Sequence, residues 1–389
     1  MASLFEYLTA NGDRHLRQFP FNSADNVLLC LLFALPFERV LGERERQPFP
    51  LAAAELLRHQ AEWPRFFNHY EDARLLYLAA SSARFGGMAV ERCVSVTSPR
   101  EEIQFAAMTC ALDDGSDFVV FRGTDDSFAA WKEDLNMCFL SPLPAQLRAV
   151  AYLNGAPRDR PMRLGGHSKG GNLAVYAAAF CDGEIRQNIV EVYNNDGPGF
   201  SRELMRGAAY QAVRDRIRTY VPQSSIVGML FEHEENYEVV RCRGAGFFQH
   251  ILHNWQVGPL GLLTTDRVSG SSRYVSGTLR SWIENSTAQE REALIDALYD
   301  ILLRVNVETL SQFGENWTGN ILALFNSISE SDPRIRRMVW EALVSLGRAA
   351  AQNLPSPARL GPILGRRHRE GPEGGEPERG EPPLPGVRL

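Results

Sequence analysis

The sequence lacks several features that would assign a class of protein at once. No two of its six cysteines form a CxxC pair, and six dispersed thiols in 389 residues do not make a disulfide scaffold. Lysine and arginine number 41 against 47 acidic residues, so no basic excess indicates a nucleic-acid partner. The longest apolar run, Val27 to Leu35, is about half the roughly 20 residues of a membrane-spanning helix. The N-terminus also lacks the basic-then-apolar pattern of a signal peptide. These absences predict a cytoplasmic protein without a transmembrane segment.

What is present is the composition of a folded protein, with 44% hydrophobic and 23% charged residues. Its patterns predict an N-terminal helical segment packed on the core (1–85), an α/β core (86–285) and a C-terminal helical segment (286–354). The last segment, 355–389, holds eight of the 22 prolines and very few apolar residues. Because such a segment buries too little apolar surface to fold, we expect a disordered tail there.

Short β-branched runs alternate with helical patterns through the core. A hairpin is predicted from the runs at 93–97 and 103–112, and Asp113-Asp114-Gly115 marks the turn into a strand at 118–121. Further strands are predicted at 162–164, 189–193, 217–221 and 237–242, with helices at 146–153, 172–180 and 210–216 between them. This alternation predicts an α/β fold with a mostly parallel sheet and helices on both faces.

Additional helices are predicted at both ends of this core. Asp25 is expected to cap a buried helix at 26–33, and two more helices are expected at 51–59 and 72–85. Thr287 and Glu290 form a capping-box pattern at the start of a helix over 287–305. Another helix is expected at about 333–351.

The central motif is Gly166-His167-Ser168-Lys169-Gly170, a G-x-S-x-G sequence between a predicted strand and a helix of small residues. In a nucleophile elbow the serine occupies a strained turn, and side chains in place of the glycines would collide with the strand or helix. The helix N-terminus then directs amide N–H groups at the site. A glycine-rich turn without chemistry and a phosphate-cradling loop are the alternatives, although G-x-x-x-x-G-K-[ST] is absent.

The stretch GGHSKGGNLAVYAA resembles the elbow of class 3 lipases and, more closely, that of a bacterial branch of lipase-like domains without an assigned function. Three more stretches are similar: 121–125 to the lipase F-R-G-[ST] segment, 192–200 to the loop after the nucleophile helix and its strand, and 249–257 to the histidine segment of the bacterial branch. The resemblance spans roughly residues 20–285. It implies an α/β-hydrolase fold and esterase-like chemistry.

A serine nucleophile needs a base, and in this fold the order along the chain is Ser, acid, His. The histidines between Ser168 and the tail are His233, His250 and His253. His233 lies in a strongly acidic run typical of a solvated turn, whereas His250 follows a strand in a loop. The resemblance also selects His250, and His233 and His253 remain the alternatives.

The acid is predicted to be Asp196, in the loop after the strand at 189–193, so one of its oxygens should lie within hydrogen-bonding distance of a His250 nitrogen. Class 3 lipases carry their aspartate one strand later, but the matching stretch here, 222–227, contains no carboxylate. Glu232 and Glu234 are the next candidates. A Ser–His dyad, with Asp196 serving only an Asx turn, is the remaining possibility.

The oxyanion hole is predicted to use the backbone N–H of Lys169, the residue after the nucleophile. The resemblance implies that Thr124 supplies the second N–H. Arg122 and Asp125 are expected to brace this loop. Asp126, Trp131, Lys132, Glu133 and Asp134 also resemble the bacterial branch, and we interpret them as loop packing and a helix start.

These patterns together predict a serine hydrolase of carboxylic esters, esterase-like or lipase-like, that works through an acyl-enzyme on Ser168. The expected partner is a small acyl ester or lipid, with no metal and no organic cofactor. One alternative is a binding or scaffolding protein with a dormant site in a hydrolase fold. The other is a thioesterase or peptidase with the same catalytic residues and a different pocket.

Overall fold

The structure is a computed structural model that describes residues 3–304 except 44, 65–68, 99, 102, 125–131, 135, 138–140 and 231–236, together with single residues between 333 and 348. Glu232, His233, Glu234 and the predicted tail at 355–389 lie outside the described residues, as do Asp125, Asp126 and Trp131. The division at residues 85, 285 and 354 therefore remains a prediction.

A nine-stranded mixed sheet forms the centre of the described chain, in the order β1-β2-β3-β4-β5-β6-β7-β8-β11. Strands β4 to β8 run parallel to one another, while β1, β2, β3 and β11 pair antiparallel with their neighbours. The expected mostly parallel sheet is thus found only at the centre. The strands are β1 (Arg46–Pro48), β2 (Ala89–Ser98), β3 (Ile103–Ala111), β4 (Asp117–Phe121), β5 (Met162–His167), β6 (Ile189–Asn195), β7 (Ile217–Pro222), β8 (Tyr237–Val240), β9 (Val257–Gly258), β10 (Gly261–Leu262) and β11 (Thr264–Thr265).

Helices cover both faces of this sheet. They are α1 (Leu4–Asn11), α2 (Ser23–Leu32), α3 (Phe49–Arg58), α4 (His69–Ala80), α5 (Pro144–Asn154), α6 (Lys169–Phe180), α7 (Gly183–Asn188), α8 (Arg202–Arg206), α9 (Ala208–Gln211), α10 (Gly270–Glu284) and α11 (Ala288–Arg304). None of the described helices is both long and apolar enough to cross a membrane.

Strand β4 shows how the two faces are assigned. Phe118 and Val120 belong to the hydrophobic cluster formed with α1 to α4, whereas Val119 and Phe121 belong to the cluster formed with α5 and α6. Successive strand side chains point to opposite faces, so the four consecutive apolar residues of this strand must be covered on both faces. The N-terminal helices therefore complete one half of the core.

A buried ion pair fixes the N-terminal helices to the chain that leads into the sheet. The side chains of Arg84 and Asp25 are both fully buried, and Arg84 Nε donates to Asp25 Oδ1 over 2.7 Å. The sequence predicted Asp25 as the cap of this helix, and that prediction is wrong. The cap of α2 is Asn22, and Asp25 occupies the third position of the helix, where it accepts from the Asn22 backbone N–H over 2.9 Å. Asp25 therefore completes a capping box and neutralises Arg84 at the same time.

Several predicted boundaries also differ from the structure. Strand β5 continues through Gly165 and Gly166 to His167, so the expected turn at 165–171 shortens to Ser168 alone. Helix α4 ends at Ala80 rather than at residue 85. The capping box at the start of α11 is present, since Thr287 N donates to Glu290 Oε2 over 2.7 Å and Glu290 N donates to Thr287 Oγ1 over 3.2 Å.

Candidate active site

Ser168 lies between the end of β5 and the start of α6, in the parallel centre of the sheet. Its backbone has φ 57° and ψ −129°, a left-handed conformation that residues other than glycine rarely adopt. The Ser168 N–H donates to Asn195 O in the adjacent strand β6 over 3.0 Å. The strand-to-helix turn expected of a nucleophile elbow is therefore present.

The two glycines of the motif permit a very close approach of helix to sheet. A Cβ atom on Gly166 would lie 2.2 Å from the carbonyl carbon of Gly170, and one on Gly170 would lie 2.1 Å from the carbonyl oxygen of Phe121. Real Cβ atoms do not approach other heavy atoms so closely, so any other residue at either position would push α6 away from β4 and β5. The position of Ser168 depends on this contact.

An amide pair supports the turn from the other face of the sheet. Asn26 on α2 and Asn195 at the end of β6 are fully buried, and each side chain donates to the other, over 2.8 and 3.1 Å. Asn195 Nδ2 also donates to Gly166 O over 3.0 Å. The N-terminal helix is thereby bonded to the strand that carries the nucleophile. This pair is not predicted from the sequence, where its signal is Asn26 directly before the apolar run that starts at Val27.

Asp196 and His250 are brought together, although 54 positions separate them in the chain. Asp196 directly follows β6, has a positive φ of 52° and is fully buried. Its Oδ2 lies 2.6 Å from His250 Nδ1, while its Oδ1 accepts from Ser225 Oγ over 2.5 Å and from the Gly228 N–H over 3.1 Å. Because the carboxylate accepts from Nδ1–H, the other ring nitrogen, Nε2, carries the lone pair that can accept a proton.

The loop that carries His250 is fixed by a buried glutamine. His250 ends a short 3₁₀ helix, Gly246–His250, and its side chain is 14% exposed. Gln249 accepts from Ser224 N over 2.7 Å and donates to Gly244 O over 2.9 Å, which ties the histidine loop to the loop after β7. The indole N–H of Trp255 donates to Gln249 O over 2.9 Å. Packing of this kind restricts the orientation of the His250 ring.

The residue before the nucleophile, His167, packs directly against His250. Their ring centroids lie 4.4 Å apart, and His167 Nε2–H donates to the His250 carbonyl oxygen over 2.8 Å. Burial, reinforced by the nearby His250, holds the pKa of His167 well below its usual 6.5. His167 is therefore a neutral donor that fixes the backbone of His250.

The two predicted oxyanion donors, Lys169 and Thr124, lie next to Ser168 and next to Gly123, respectively. Lys169 is the first residue of α6, where helix geometry leaves the backbone N–H without an intrahelical acceptor. Thr124 follows Gly123, where a Cβ atom would lie 3.5 Å from the Ser168 Cβ and 2.6 Å from His167 O. The loop after β4 thus runs directly against the nucleophile. Arg122 in this loop binds Glu38 and Ser95, with each of its bonds 3.0 Å long, so it braces the segment as expected.

The Lys169 side chain lies in a buried polar cluster. Its Nζ is fully buried and lies 2.9 Å from Glu133 Oε2 and 2.6 Å from Gln104 Oε1. Asp134 adjoins this cluster and accepts a hydrogen bond from the Thr124 hydroxyl. Glu133 and Asp134, interpreted from the sequence as part of a helix start, therefore belong to the surroundings of the candidate site. Two consecutive acids, Glu133 and Asp134, are the sequence signal for it.

The alternative base His253 faces away from this arrangement. Its Nε2 lies 2.8 Å from Asp72 Oδ1 on α4. This pairing ties the histidine segment to the N-terminal helices and gives His253 a structural partner of its own.

A cleft of about 810 Å³ lies beside α6. Asn172, Tyr176 and Phe180 line it, spaced by four residues from one another and from Ser168, so the four share one face of the helix. Phe200, Ile283 and Met137 contribute apolar surface opposite them, and Arg202, Glu203 and Glu284 are among its charged residues. The volume is in the range of small-molecule sites.

The Ser168 turn and the loops beside it lie within the part of the chain that matches a known family. The Mbeg1-like family matches residues 79–300, more than half of the chain. The chain belongs to the Mbeg1-like family, which is lipase-like. The match includes Thr124, Ser168, Asp196 and His250 and leaves out α1 to α3.

Among solved structures, the chain is similar to a fungal lipase in complex with an inhibitor. The structure of that complex gave a model for interfacial activation in lipases. The two are 16% identical, and the match covers 40% of this chain and 66% of that chain with a TM-score of 0.31. No curated protein matches the chain.

Proposed function

We propose that this protein is a serine hydrolase of carboxylic esters with an α/β-hydrolase core, and that Ser168, His250 and Asp196 form its catalytic triad. The observation that carries the proposal is the 2.6 Å contact between Asp196 Oδ2 and His250 Nδ1 in the loops beside the Ser168 turn. A buried aspartate in this position holds the imidazole in the tautomer that accepts a proton at Nε2. Membership of a lipase-like family supports the same reaction class.

In the proposed reaction, Ser168 Oγ attacks the ester carbonyl carbon while its proton passes to His250 Nε2. The negative charge that develops on the carbonyl oxygen is stabilised by the backbone N–H groups of Lys169 and Thr124. Collapse of this tetrahedral species breaks the bond to the alcohol, which leaves with the proton from His250. Water activated by the same histidine then hydrolyses the acyl-serine, and Asp196 stabilises the imidazolium in both halves of the reaction.

Labelling with a fluorophosphonate tests the nucleophile directly, because this reagent reacts only with an activated serine. The folded protein is expected to be labelled at neutral pH, and Ser168→Ala is expected to abolish the reaction. Ser81→Ala, at an exposed serine in a turn after α4, is the matched control and is expected to leave labelling unchanged. Labelling that persists without Ser168, or the absence of labelling in the folded protein, would refute the proposal and favour a binding protein with a dormant site.

We place the acyl group of the substrate in the cleft along α6, since its lining begins at Asn172, one helical turn from Ser168. A panel of p-nitrophenyl esters of graded chain length, with matched thioesters, tests this placement. Phe180 is 40% exposed and lines the far part of the cleft, so Phe180→Ser is expected to weaken the preference for longer chains without changing hydrolysis of the acetate. An unchanged chain-length profile would argue against the cleft, and a strong preference for thioesters would identify a thioesterase.

A further inference from the structure

We propose that the Lys169 side chain is a positioning residue, which holds the two amide donors of the oxyanion site at a fixed separation through Glu133 and Asp134. This inference rests on the proposed function, because it concerns the site at which that reaction would occur. It assigns a role to the side chain of Lys169, separate from the backbone N–H of the same residue.

The Lys169 ammonium has no proton left for a substrate. Its Nζ donates to Gln104 O over 2.9 Å, to Gln104 Oε1 over 2.6 Å and to Glu133 Oε2 over 2.9 Å, which accounts for all three protons. The side chains of Lys169 and Glu133 are both fully buried, so the two charges neutralise each other without help from solvent. Such a group neither attacks a substrate nor donates to one, and its effect must pass through the residues that it binds.

Glu133 connects three elements around the nucleophile turn. Its Oε2 accepts from the Gln104 N–H on β3 over 3.0 Å as well as from Lys169 on α6. Its Oε1 accepts from the Ala145 N–H in the first turn of α5 over 3.1 Å. The start of α6 is therefore bonded, through one buried carboxylate, to the sheet and to the neighbouring helix.

Asp134 extends this connection to the second oxyanion donor. Its Oδ1 lies 3.8 Å from Lys169 Nζ, and its Oδ2 accepts from the Thr124 hydroxyl. Burial raises the pKa of Asp134 to about 6, against the opposing influence of Lys169 and of the Thr124 hydrogen bond. The Thr124 hydroxyl donates to Asp134 and thereby favours its ionised form. The path from Lys169 through Asp134 to Thr124 links the two residues whose backbone N–H groups are proposed to hold the oxyanion.

The side chain of Lys169 is fully buried, although lysine is rarely buried unless it is paired with an acid. A buried ion pair contributes little net stability compared with an apolar pair of the same shape. We therefore infer that the cluster serves to position the oxyanion donors rather than to stabilise the fold. Such positioning matters because a shift of about 1 Å in a catalytic group lowers a rate by about 100-fold.

Two changes test this inference without leaving either Lys169 or Glu133 as an unpaired buried charge. Thr124→Val removes the hydroxyl and keeps the shape and the backbone N–H. The double variant Lys169→Met/Glu133→Gln removes both charges together, because Lys169→Met alone would leave Glu133 buried and unpaired. The matched control is Thr109→Val, at a buried threonine whose hydroxyl is 2.8 Å from the Tyr152 hydroxyl, outside the site.

For p-nitrophenyl acetate we expect kcat to fall by about 10-fold in Thr124→Val and by about 100-fold in the double variant, with KM nearly unchanged, because the lost interaction acts on the transition state. The rate constant of fluorophosphonate labelling should fall in parallel, while Thr109→Val keeps wild-type values. Combining Thr124→Val with the double variant should cost less than the product of the separate effects, since both act through one link.

The outcomes distinguish this inference from the proposed function. If the wild-type protein is not labelled at Ser168, the proposed function fails and this inference fails with it. If the wild-type protein is labelled and Thr124→Val and the double variant react at its rate, the reaction stands and the positioning role is refuted. Should the double variant not fold, Thr124→Val decides: a wild-type kcat in that variant refutes the role.

Discussion

Asp196→Asn is the most informative single change, because the structure dictates how the new amide must be oriented. Asp196 Oδ1 accepts from Ser225 Oγ and from the Gly228 N–H, whereas Oδ2 faces His250 Nδ1. In the Asp196→Asn variant the amide oxygen must stay on the side of the two donors. The reverse orientation would leave the Gly228 N–H against an NH₂ group, which costs about 1–3 kcal/mol for a buried donor without an acceptor.

With that orientation the NH₂ group of the introduced asparagine donates to His250 Nδ1, so Nδ1 becomes an acceptor and the ring proton moves to Nε2. The imidazole then cannot take the proton of Ser168. The same change of tautomer in a protease triad lowers kcat by about 10⁴-fold. By the factor of about 1.36 kcal/mol for each tenfold change in rate, this is roughly 5.4 kcal/mol of transition-state stabilisation.

The assay is hydrolysis of p-nitrophenyl acetate together with the rate constant of fluorophosphonate labelling, both at neutral pH. We expect a loss of about 10⁴-fold in kcat, with a melting temperature that changes by only a few degrees because all the bonded positions stay occupied. Ser225→Ala is the control, since it removes one donor to Asp196 and leaves the tautomer intact; its kcat should fall by no more than about 10-fold. An Asp196→Asn variant with near-normal kcat would refute the triad assignment.

Three further predictions concern the fold. Gly170→Ala should destabilise the protein by about 1–3 kcal/mol in urea unfolding, because its Cβ would meet the Phe121 carbonyl oxygen at 2.1 Å, whereas Gly183→Ala, with nothing within 4 Å, should be neutral. The His167 ring should titrate well below pH 6.5 when followed by NMR. Because its folded-state pKa lies below the usual 6.5, the unfolded chain binds a proton that the folded chain does not, and stability should fall as the pH drops through about 6.5; a ring that titrates near 6.5 would contradict this. Deletion of residues 355–389 should leave the melting temperature and any esterase activity nearly unchanged, and a large loss of either would show that this segment docks on the domain.

The sequence predicts best where a local rule is sufficient. The hairpin of β2 and β3 follows from the alternation of its strands. The hairpin of β3 and β4 follows from the turn at Gly115, which has a φ of 90°. The turn at Ser168 follows from two glycines whose spacing has a steric reason. Elements without a local rule were missed. Strands β1 and β9 to β11 have only two or three residues each, too few for any periodicity to be seen.

Helix α10 was missed for a different reason. It begins Gly270-Ser271-Ser272, residues with weak helix propensity. Its start is instead fixed by the Ser269 side chain, which accepts from Ser272 N, and by the bond from Ser269 N to the Gln223 carbonyl oxygen over 2.6 Å. Apolar residues do recur at helical spacing further along α10, at Val275, Leu279 and Ile283, so the weak helix propensity of its first turn is what concealed it.

The buried surroundings of the candidate site were equally hidden. Sequence alone treats lysine as an exposed residue, and nothing in the motif around Lys169 indicates that its side chain reaches Gln104, 65 positions earlier. The partner acids lie 36 and 35 positions away in a stretch with no pattern of its own. Long-range polar contacts of this kind depend on the packing of α6 onto the sheet, which becomes visible only in the folded chain.

The loop after β7 binds Asp196, the proposed acid, which itself follows β6. In class 3 lipases, which the sequence resembles, the aspartate follows the later strand, and the corresponding stretch here has no carboxylate. That loop has not lost its connection to the site. Its Ser225 hydroxyl and Gly228 N–H both donate to Asp196, and a Cβ atom on Gly228 would lie 2.3 Å from Asp196 Oδ1. The proposed acid thus follows β6, one strand earlier than the aspartate of class 3 lipases, and the loop after β7 supplies its hydrogen bonds. A carboxylate introduced by Ser225→Asp should therefore not take over the role of Asp196 in an Asp196→Ser background, because Ser225 contacts the Oδ1 side of Asp196 and His250 Nδ1 lies on the Oδ2 side. Recovery of esterase activity in that double variant would contradict this account.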